Sequence, residues 1–348
     1  MRFTDECAKA IARRHNLWHF KGRNGKTRGR WREIMSFFGH LFGWLLPPKE
    51  KANPVSQARS EKSFIPSGSA GPQAGHVLIA DFDGPRGREA TARLAEFLVV
   101  RPGLKVDRFN KILKSSGTGS LVAQLAGAAE KGREWLTSSG ADILLWGEVK
   151  EPLGELNIRF LVARGDVEGA PGIFGLGDTL SLPGDFDKEL GGVAYAAVLA
   201  AIGPVREGPR QRVALLLDEA ANGANAFLEA PPPLKPEPLA TLFNTIGNVM
   251  AAVWRLLGDE TKLDRAAKAY RKAMDVISSK DTPLIWAMSQ NHLAAVLDAK
   301  SGLAKDPQPL RDAVEAYRAV TTALDATQFP NDWAMAQARM GEALTKMA

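Results

Sequence analysis

The chain contains Pro283-Leu-Ile-Trp-Ala-Met-Ser-Gln290 and, 47 residues later, Pro330-Asn-Asp-Trp-Ala-Met-Ala-Gln337. The same spacing of 47 separates Pro236 from Pro283. Many further pairs share it, and a constant period of this length is typical of stacked helical units. The pairs are Leu263 and Leu310, Ala266 and Ala313, Ala269 and Ala316, Tyr270 and Tyr317, and Asn244 and Asn291.

Each period predicts two helices joined by a loop. In the second copy the first helix carries Trp286, Leu293 and Leu297 on one face, and the second helix covers Pro309–Leu324. Alanines in the second helix allow close approach, and a proline ends each hairpin. Neither helix buries its apolar stripe alone, so the sequence predicts an all-α array that is stable only when neighbours stack.

These residues resemble the tetratricopeptide repeat. The resemblance rests on Leu293-Ala294 in a first helix, on Ala313-x-x-x-Tyr317 in a second helix, and on the closing proline. The period exceeds that family's usual length of about 34 residues, and the opening Pro-x-x-Trp-Ala is similar to longer bacterial variants. The resemblance implies a right-handed superhelix whose first helices line a concave groove for a protein or peptide partner.

Helical register assigns ten residues to this groove. Its asparagines are suited either to hydrogen bonds with the backbone or terminal carboxylate of a peptide or to bonds that tie neighbouring helices together. The predicted groove has no basic pair to clamp a carboxylate. The predicted partner-binding residues are Thr241, Asn244, Asn248, Met288, Asn291, Ala295, Asp298, Met335, Ala338 and Glu342.

Residues 76–203 alternate short apolar runs with stretches of helical periodicity, in the order βαβαββ(β)α. This order predicts an α/β fold with helices packed on a mixed sheet, followed by the all-α array. The predicted strands are Val77–Phe82, Leu104–Val106, Asp142–Val149 and Glu155–Ala163, and the predicted helices are Arg88–Val100, Leu121–Leu136 and Asp187–Ile202.

Three pieces of this segment resemble, in order, the N-terminal domain shared by TolB-like and curli-assembly (CsgG-like) proteins. They are the strand and turn Val77–Gly84, the strand Pro102–Val106, and Ser139-Gly-Ala-Asp-Ile-Leu-Leu-Trp-Gly-Glu-Val149 with its following strand. The resemblance implies a non-catalytic domain used in assembly or partner contact, without metal or cofactor. A helical array follows here instead of the propeller of TolB.

The turn Asp81-Phe-Asp83-Gly84 supports an alternative, because a strand that ends in Asp-x-Asp-Gly resembles the first motif of the haloacid-dehalogenase phosphatases. That resemblance implies a Mg²⁺-dependent phosphatase with Asp81 as nucleophile and Asp83 as general acid. Pro85 departs from the threonine of that family, and no later lysine or paired-acid motif follows a strand. The competing interpretation is a turn that uses Asp and Gly for their backbone preferences.

The N-terminal region is basic, since residues 1–33 hold ten Lys or Arg against three acids, a net charge of +7. The apolar run Ile34–Leu46 is too short to span a membrane. Three interpretations remain for this run and the basic stretch before it: a secretion signal, a start at Met35 that leaves residues 1–34 untranslated, or an interfacial helix beside anionic lipid. The last interpretation predicts a membrane- or partner-docking face of Phe37, Leu41, Trp44 and Leu45.

Proline-rich stretches divide the chain. Residues 47–75 predict a disordered linker, and Glu229–Pro238 predicts a proline-stiffened connector. The predicted organisation is a tail and short helix (1–46), the linker (47–75), an α/β domain (76–203), a leading helix and connector (204–235), and the repeats (236–348).

Little in the sequence favours catalysis. The single cysteine and five scattered histidines provide no metal-ligand spacing, so we expect neither a metal nor another cofactor. We expect a non-enzymatic protein–protein adaptor, self-associating or not, that has no specific nucleic-acid partner. It is expected in the cytoplasm, at a membrane surface if residues 34–46 dock there; the alternative is a periplasmic envelope-assembly component.

Overall fold

The computed structural model describes residues 73–115, 121–152, 154–163, 170–203, 210–303 and 306–348. All of them lie in one compact unit, Phe64–Ala348. The predicted tail and short helix (1–46), with Phe37, Leu41, Trp44 and Leu45, and residues 47–72 of the predicted linker lie outside the described residues.

A five-stranded mixed sheet forms the first half of the described chain, with strand order β2-β1-β3-β4-β5. β1 is parallel to β2 and β3, whereas β3–β4 and β4–β5 are antiparallel pairs. The elements are β1 Gly75–Asp81, α1 Gly87–Val99, β2 Leu104–Ile112, α2 Leu121–Ser139, β3 Ile143–Lys150, β4 Glu155–Val162, β5 Leu180–Leu182 and α3 Lys188–Ile202.

Helices cover both faces of the sheet, because alternate side chains of each strand point to opposite sides. Val77 and Ile79 of β1 pack in one core with Leu94 of α1 and Val198 of α3. On the other face, a second core packs β1 and β3 against α2; its members include Leu78, Leu144, Leu125 and Trp135. The predicted mixed sheet with packed helices is therefore confirmed.

Strand β2 is longer than the predicted Leu104–Val106. It lies at the edge of the sheet and is only half-buried, so its sequence carries Lys105, Arg108 and Asn110 among the apolar residues. An apolar run therefore marks only its first part, and the hydrogen-bonded register with β1 continues to Ile112.

Helices follow without further strands in the described part of residues 183–348. The predicted order, a mixed sheet and then a helical array, is confirmed. Beyond α3, the helices are α4 Arg210–Asn225, a short 3₁₀ turn Ala226–Leu228, α5 Pro236–Leu257, α6 Thr261–Val276, α7 Pro283–Leu303, α8 Gln308–Ala323 and α9 Pro330–Met347.

The helix boundaries repeat with the spacing of the sequence. α5, α7 and α9 begin at Pro236, Pro283 and Pro330. Proline has no backbone N–H, but the N–H groups of the first helical turn have no partner within the helix, so proline costs no hydrogen bond there. α6 and α8 begin and end 47 residues apart. The period is therefore that of successive helical pairs.

A glycine on α5 allows the first pair to approach closely. A Cβ at Gly247 would lie 2.4–2.7 Å from ring atoms of Tyr270 on α6, so the tyrosine occupies the space that the glycine leaves. Ala294 is the corresponding small residue on α7. At the third position, Gly341 of α9, a Cβ would meet nothing within 4 Å.

Sheet and array share one continuous core. The cluster that contains the inner face of the sheet extends through α3, α4 and α5 to Tyr270 and Tyr317 of the array. Lys262 of α6 adds a polar tie, because its Nζ lies 2.6 Å from Asp218 Oδ1 and 3.1 Å from Asn222 Oδ1, both on α4. The array is thus packed directly on the α/β part. None of the helices in the described residues is both long and apolar enough to cross a membrane.

We expect Gly247→Ala to lower the free energy of unfolding by about 1–3 kcal/mol, because the added methyl group overpacks the Tyr270 ring. Gly341→Ala is the matched control at the same repeat position, and we expect it to be neutral or to stabilise by about 0.5–1 kcal/mol through helix propensity. Urea unfolding followed by circular dichroism measures both. Equal effects of the two substitutions would contradict this packing.

Candidate partner-binding groove

Residues 170–182, the groove segment, lie against the inner faces of the first helices of the array. Its last three residues form β5 at the edge of the sheet. The backbone N–H of Ser181 donates to Thr241 Oγ1 of α5 at 3.1 Å, and the Ser181 hydroxyl donates to Asn157 Oδ1 of β4 at 2.6 Å. One residue thus connects the sheet to α5.

Toward the end of α5 the groove segment approaches the helix backbone itself. Arg255 Nη1 donates to the carbonyl oxygen of Pro171 at 2.6 Å. Gly172 has a φ of 76°, and a Cβ there would lie 2.4 Å from Ala252 N and 2.7 Å from Asn248 O. Only glycine combines this left-handed backbone with so close an approach.

On α7 the groove segment is held by a buried polar pair. His292 Nε2 lies 2.9 Å from Asp178 Oδ1, and Asp178 Oδ2 also accepts the N–H of Gly175 at 2.7 Å. Asp178 is 5% exposed, so the pair is largely shielded from water. A hydrogen bond in such surroundings contributes more than the same bond at the surface.

Tyr270 links this pair to the packing of the array. Its ring stacks on His292 with centroids 5.3 Å apart and an interplanar angle of 19°. Its hydroxyl donates to Asn248 Oδ1 of α5 at 2.7 Å. Burial, reinforced by the charge of Asp178, raises the pKa of the Tyr270 phenol well above its usual value, so the hydroxyl remains a donor at neutral pH.

A cavity of about 150 Å³ lies between the groove segment and the distal helices α7 and α9. It is smaller than the roughly 300–1,000 Å³ of sites that enclose small-molecule ligands. Its size instead suits a side chain of an approaching polypeptide. The lining residues are Leu125, Ile173, Gly175, Leu176, Gly177, Asp178, Leu284, Met288, Asn291, His292, Ala295, Tyr317, Asp332, Met335 and Arg339.

The predicted groove residues of α5 are not at an open surface. Thr241, Asn244 and Asn248 are 2%, 5% and 1% exposed. Thr241 bonds Ser181, and Asn248 accepts from Tyr270, so both amide and hydroxyl groups serve contacts within the chain. The helical register places these residues on the inner face, but the α/β part covers that face.

The predicted residues of α7 and α9 fall into two groups. Met288, Asn291, Ala295 and Met335 come together around the cavity. The other three lie outside it. Asp298 accepts from Lys346 Nζ at 2.7 Å, Ala338 is exposed, and Glu342 Oε2 accepts from Arg339 Nη1 at 3.1 Å.

Sequence reasoning missed Asp178, His292, Arg255 and Arg339 as members of this site. Asp178 lies in a glycine-rich stretch, Gly172-Ile-Phe-Gly-Leu-Gly-Asp178, and such glycines are a signal for close backbone approach. His292 adjoins Asn291, which the repeat already placed in the groove. Neither signal shows that the glycine-rich stretch and α7 contact each other across the groove.

The alternative site at Asp81 and Asp83 lies at the carboxyl end of β1. The Asp81 side chain is 4% exposed, with Arg88 Nε 3.4 Å from Oδ2 and Arg108 Nη2 3.7 Å from Oδ1. Asp83 Oδ1 lies 2.9 Å from Lys114 Nζ. Cationic side chains thus neutralise both carboxylates.

These residues do not fit a Mg²⁺ ion as they stand. Across the residues that the structure describes, no three His, Cys, Asp or Glu side chains form a group that could hold a metal. A hard divalent cation takes about six oxygen ligands, and a pair of ion-paired carboxylates provides few of them. We therefore derive no catalytic step at Asp81.

A more open cleft of about 710 Å³ lies between the β3–β4 turn, the start of α5 and the turn between α6 and α7. Charges of both signs line it, and Lys150 Nζ lies 3.1 Å from Glu237 Oε1 across it. Burial raises the pKa of the neighbouring Glu155 carboxyl, an effect that Lys150 opposes. This mixed lining indicates no particular ligand.

Comparisons of the chain with protein-family models, with curated proteins and with solved structures gave no match. The resemblances noted in the sequence, to tetratricopeptide repeats and to TolB- and CsgG-like domains, gain no support from them.

We expect Gly172→Ala to detach the groove segment from α5, because the new methyl group meets the helix backbone. Gly140→Ala is the matched control: Gly140 has a similar φ of 66°, but a Cβ there meets nothing within 4 Å. Both variants bear the left-handed strain of about 1–2 kcal/mol. Hydrogen–deuterium exchange of residues 172–182 should accelerate only in Gly172→Ala; equal protection in the two variants would contradict the described contact.

Proposed function

We propose that this protein is a non-catalytic adaptor that binds an extended segment of a protein partner in the distal half of its helical groove. The array acts as a tetratricopeptide-type scaffold. The α/β part, of TolB- or CsgG-like type, closes the proximal half of the groove. The observation that carries the proposal is the cavity between α7, α9 and the groove segment, where four predicted groove residues converge.

The lining of this cavity is suited to a polypeptide. Met288 and Met335 provide flexible, polarisable apolar walls that adapt to different side chains. Asn291 presents an amide with both donor and acceptor groups, which matches the backbone of an extended chain. The volume of about 150 Å³ leaves room for one apolar side chain as an anchor.

The α/β part contributes to binding by forming one side of the cavity. Its segment 170–178 forms one wall of the cavity, and Arg159 of β4 holds that wall by donating to the carbonyl oxygens of Leu176 at 3.1 Å and Gly177 at 3.4 Å. The sheet therefore holds this wall beside the cavity. Phosphate-ester hydrolysis is less well supported, because the carboxylates of Asp81 and Asp83 are already ion-paired.

We expect Asn291→Arg and Met335→Arg to weaken partner capture by at least about tenfold, because each places a long charged side chain in the cavity. Thr322→Arg adds the same side chain on an exposed part of α8 and is the matched control. The measurement is quantitative mass spectrometry of proteins that each tagged full-length variant retains from extracts of its own source, after circular dichroism has shown that the variants fold.

The proposal is supported by proteins that the original chain and Thr322→Arg retain and that both groove variants lose. If all four chains retain the same proteins in the same amounts, the partner does not bind in the distal groove.

A further inference from the structure

The groove segment makes the kinds of contact that a bound extended peptide would make. The carbonyl oxygen of Pro171 accepts a hydrogen bond from Arg255, and the backbone N–H of Ser181 donates to Thr241. The carboxylate of Asp178 bonds the His292 ring. The array contributes the side chains and the segment contributes mainly its backbone.

Two glycines let the segment follow the groove closely. A Cβ at Gly172 would meet the backbone of α5, and one at Gly177 would lie 2.9 Å from Met288 Sδ of α7. Between them, Phe174 packs on Phe160 of β4 with ring centroids 4.8 Å apart. The segment thus passes α5 and reaches α7 in contact with both.

Charge at the end of the segment favours an anionic group. Arg159 and His292 lie beside Asp178, and Arg339 lines the adjoining cavity. Asp332, which also lines the cavity, and Glu342, which accepts from Arg339, partly offset the charge of the two arginines. Of these groups, His292 bonds the carboxylate of Asp178 directly, and its ring is held by the stack on Tyr270.

We propose that residues 170–178 occupy in cis a site that a partner segment takes in trans, and that this partner segment carries a carboxylate that replaces Asp178 at His292. The inference rests on the proposed adaptor function and names the chemistry of its partner. The groove segment then regulates access. As a tethered competitor it limits binding to partners that displace it.

The test uses a fluorescent synthetic peptide with the sequence of residues 170–180 as the probe. The full-length chain carries Gly172→Ala and Asp178→Asn, which weaken the tethered segment but leave every side chain of the array unchanged. We expect the peptide to bind this double variant at least tenfold more tightly than the original chain, measured by fluorescence anisotropy.

Two controls test whether the peptide binds His292 through the carboxylate of its aspartate. A peptide with asparagine at position 178 should bind the double variant at least about tenfold more weakly than the aspartate peptide. Addition of His292→Gln to the double variant should abolish that difference. If the double variant does not fold, Asp178→Asn alone takes its place in the same measurement.

Absence of peptide binding to a folded variant would overturn the inference, as would equal binding to the original chain or equal binding of the two peptides. These outcomes are separable from failure of the adaptor proposal, which is decided by Asn291→Arg and Met335→Arg in partner capture. If the peptide binds but partner capture does not change in Asn291→Arg and Met335→Arg, the carboxylate site at His292 is supported and the distal cavity is rejected as the partner's site.

Discussion

The phenol ring of Tyr270 fills the space beside Gly247, and its hydroxyl donates to Asn248 on the same helix, α5. The ring also stacks on His292 of α7, which in turn meets Asp178 of the α/β part. One fully buried side chain therefore joins two helical pairs and orients the residue that holds the groove segment. Because a phenol at this depth has to satisfy its hydroxyl, the position of Asn248 is constrained as well.

This arrangement determines which parts of the groove are open. In an isolated array, the inner faces of α5, α7 and α9 would all be open, but here the α/β part covers α5 and reaches α7. Thr241 and Asn244 of α5 are therefore buried, whereas Met288 and Asn291, which lie 47 residues later on α7, line a cavity. The same repeat positions are thus buried in one copy and line a cavity in the next.

Much of the array follows from its period, since Pro236, Pro283 and Pro330 each begin a helix and Gly247 lies where the ring of Tyr270 packs. These features are local, and local chemistry is visible in a sequence. The burial of Thr241, Asn244 and Asn248 is not, because it depends on a segment that is distant in the chain and returns to the groove through the sheet. Strand β2 shows a similar limit: hydrogen bonds to β1 extend it past the point where its side chains cease to be apolar.

The coupling of the groove segment to the array through Asp178 and His292 is the central claim, and a double-mutant cycle measures it most directly. Asp178→Asn, His292→Gln and the double variant are compared with the original chain by urea unfolding. A buried, hydrogen-bonded pair predicts an interaction free energy of about 1–3 kcal/mol, so the losses should not add. Losses that add to within about 0.5 kcal/mol would show that Asp178 and His292 do not interact in solution.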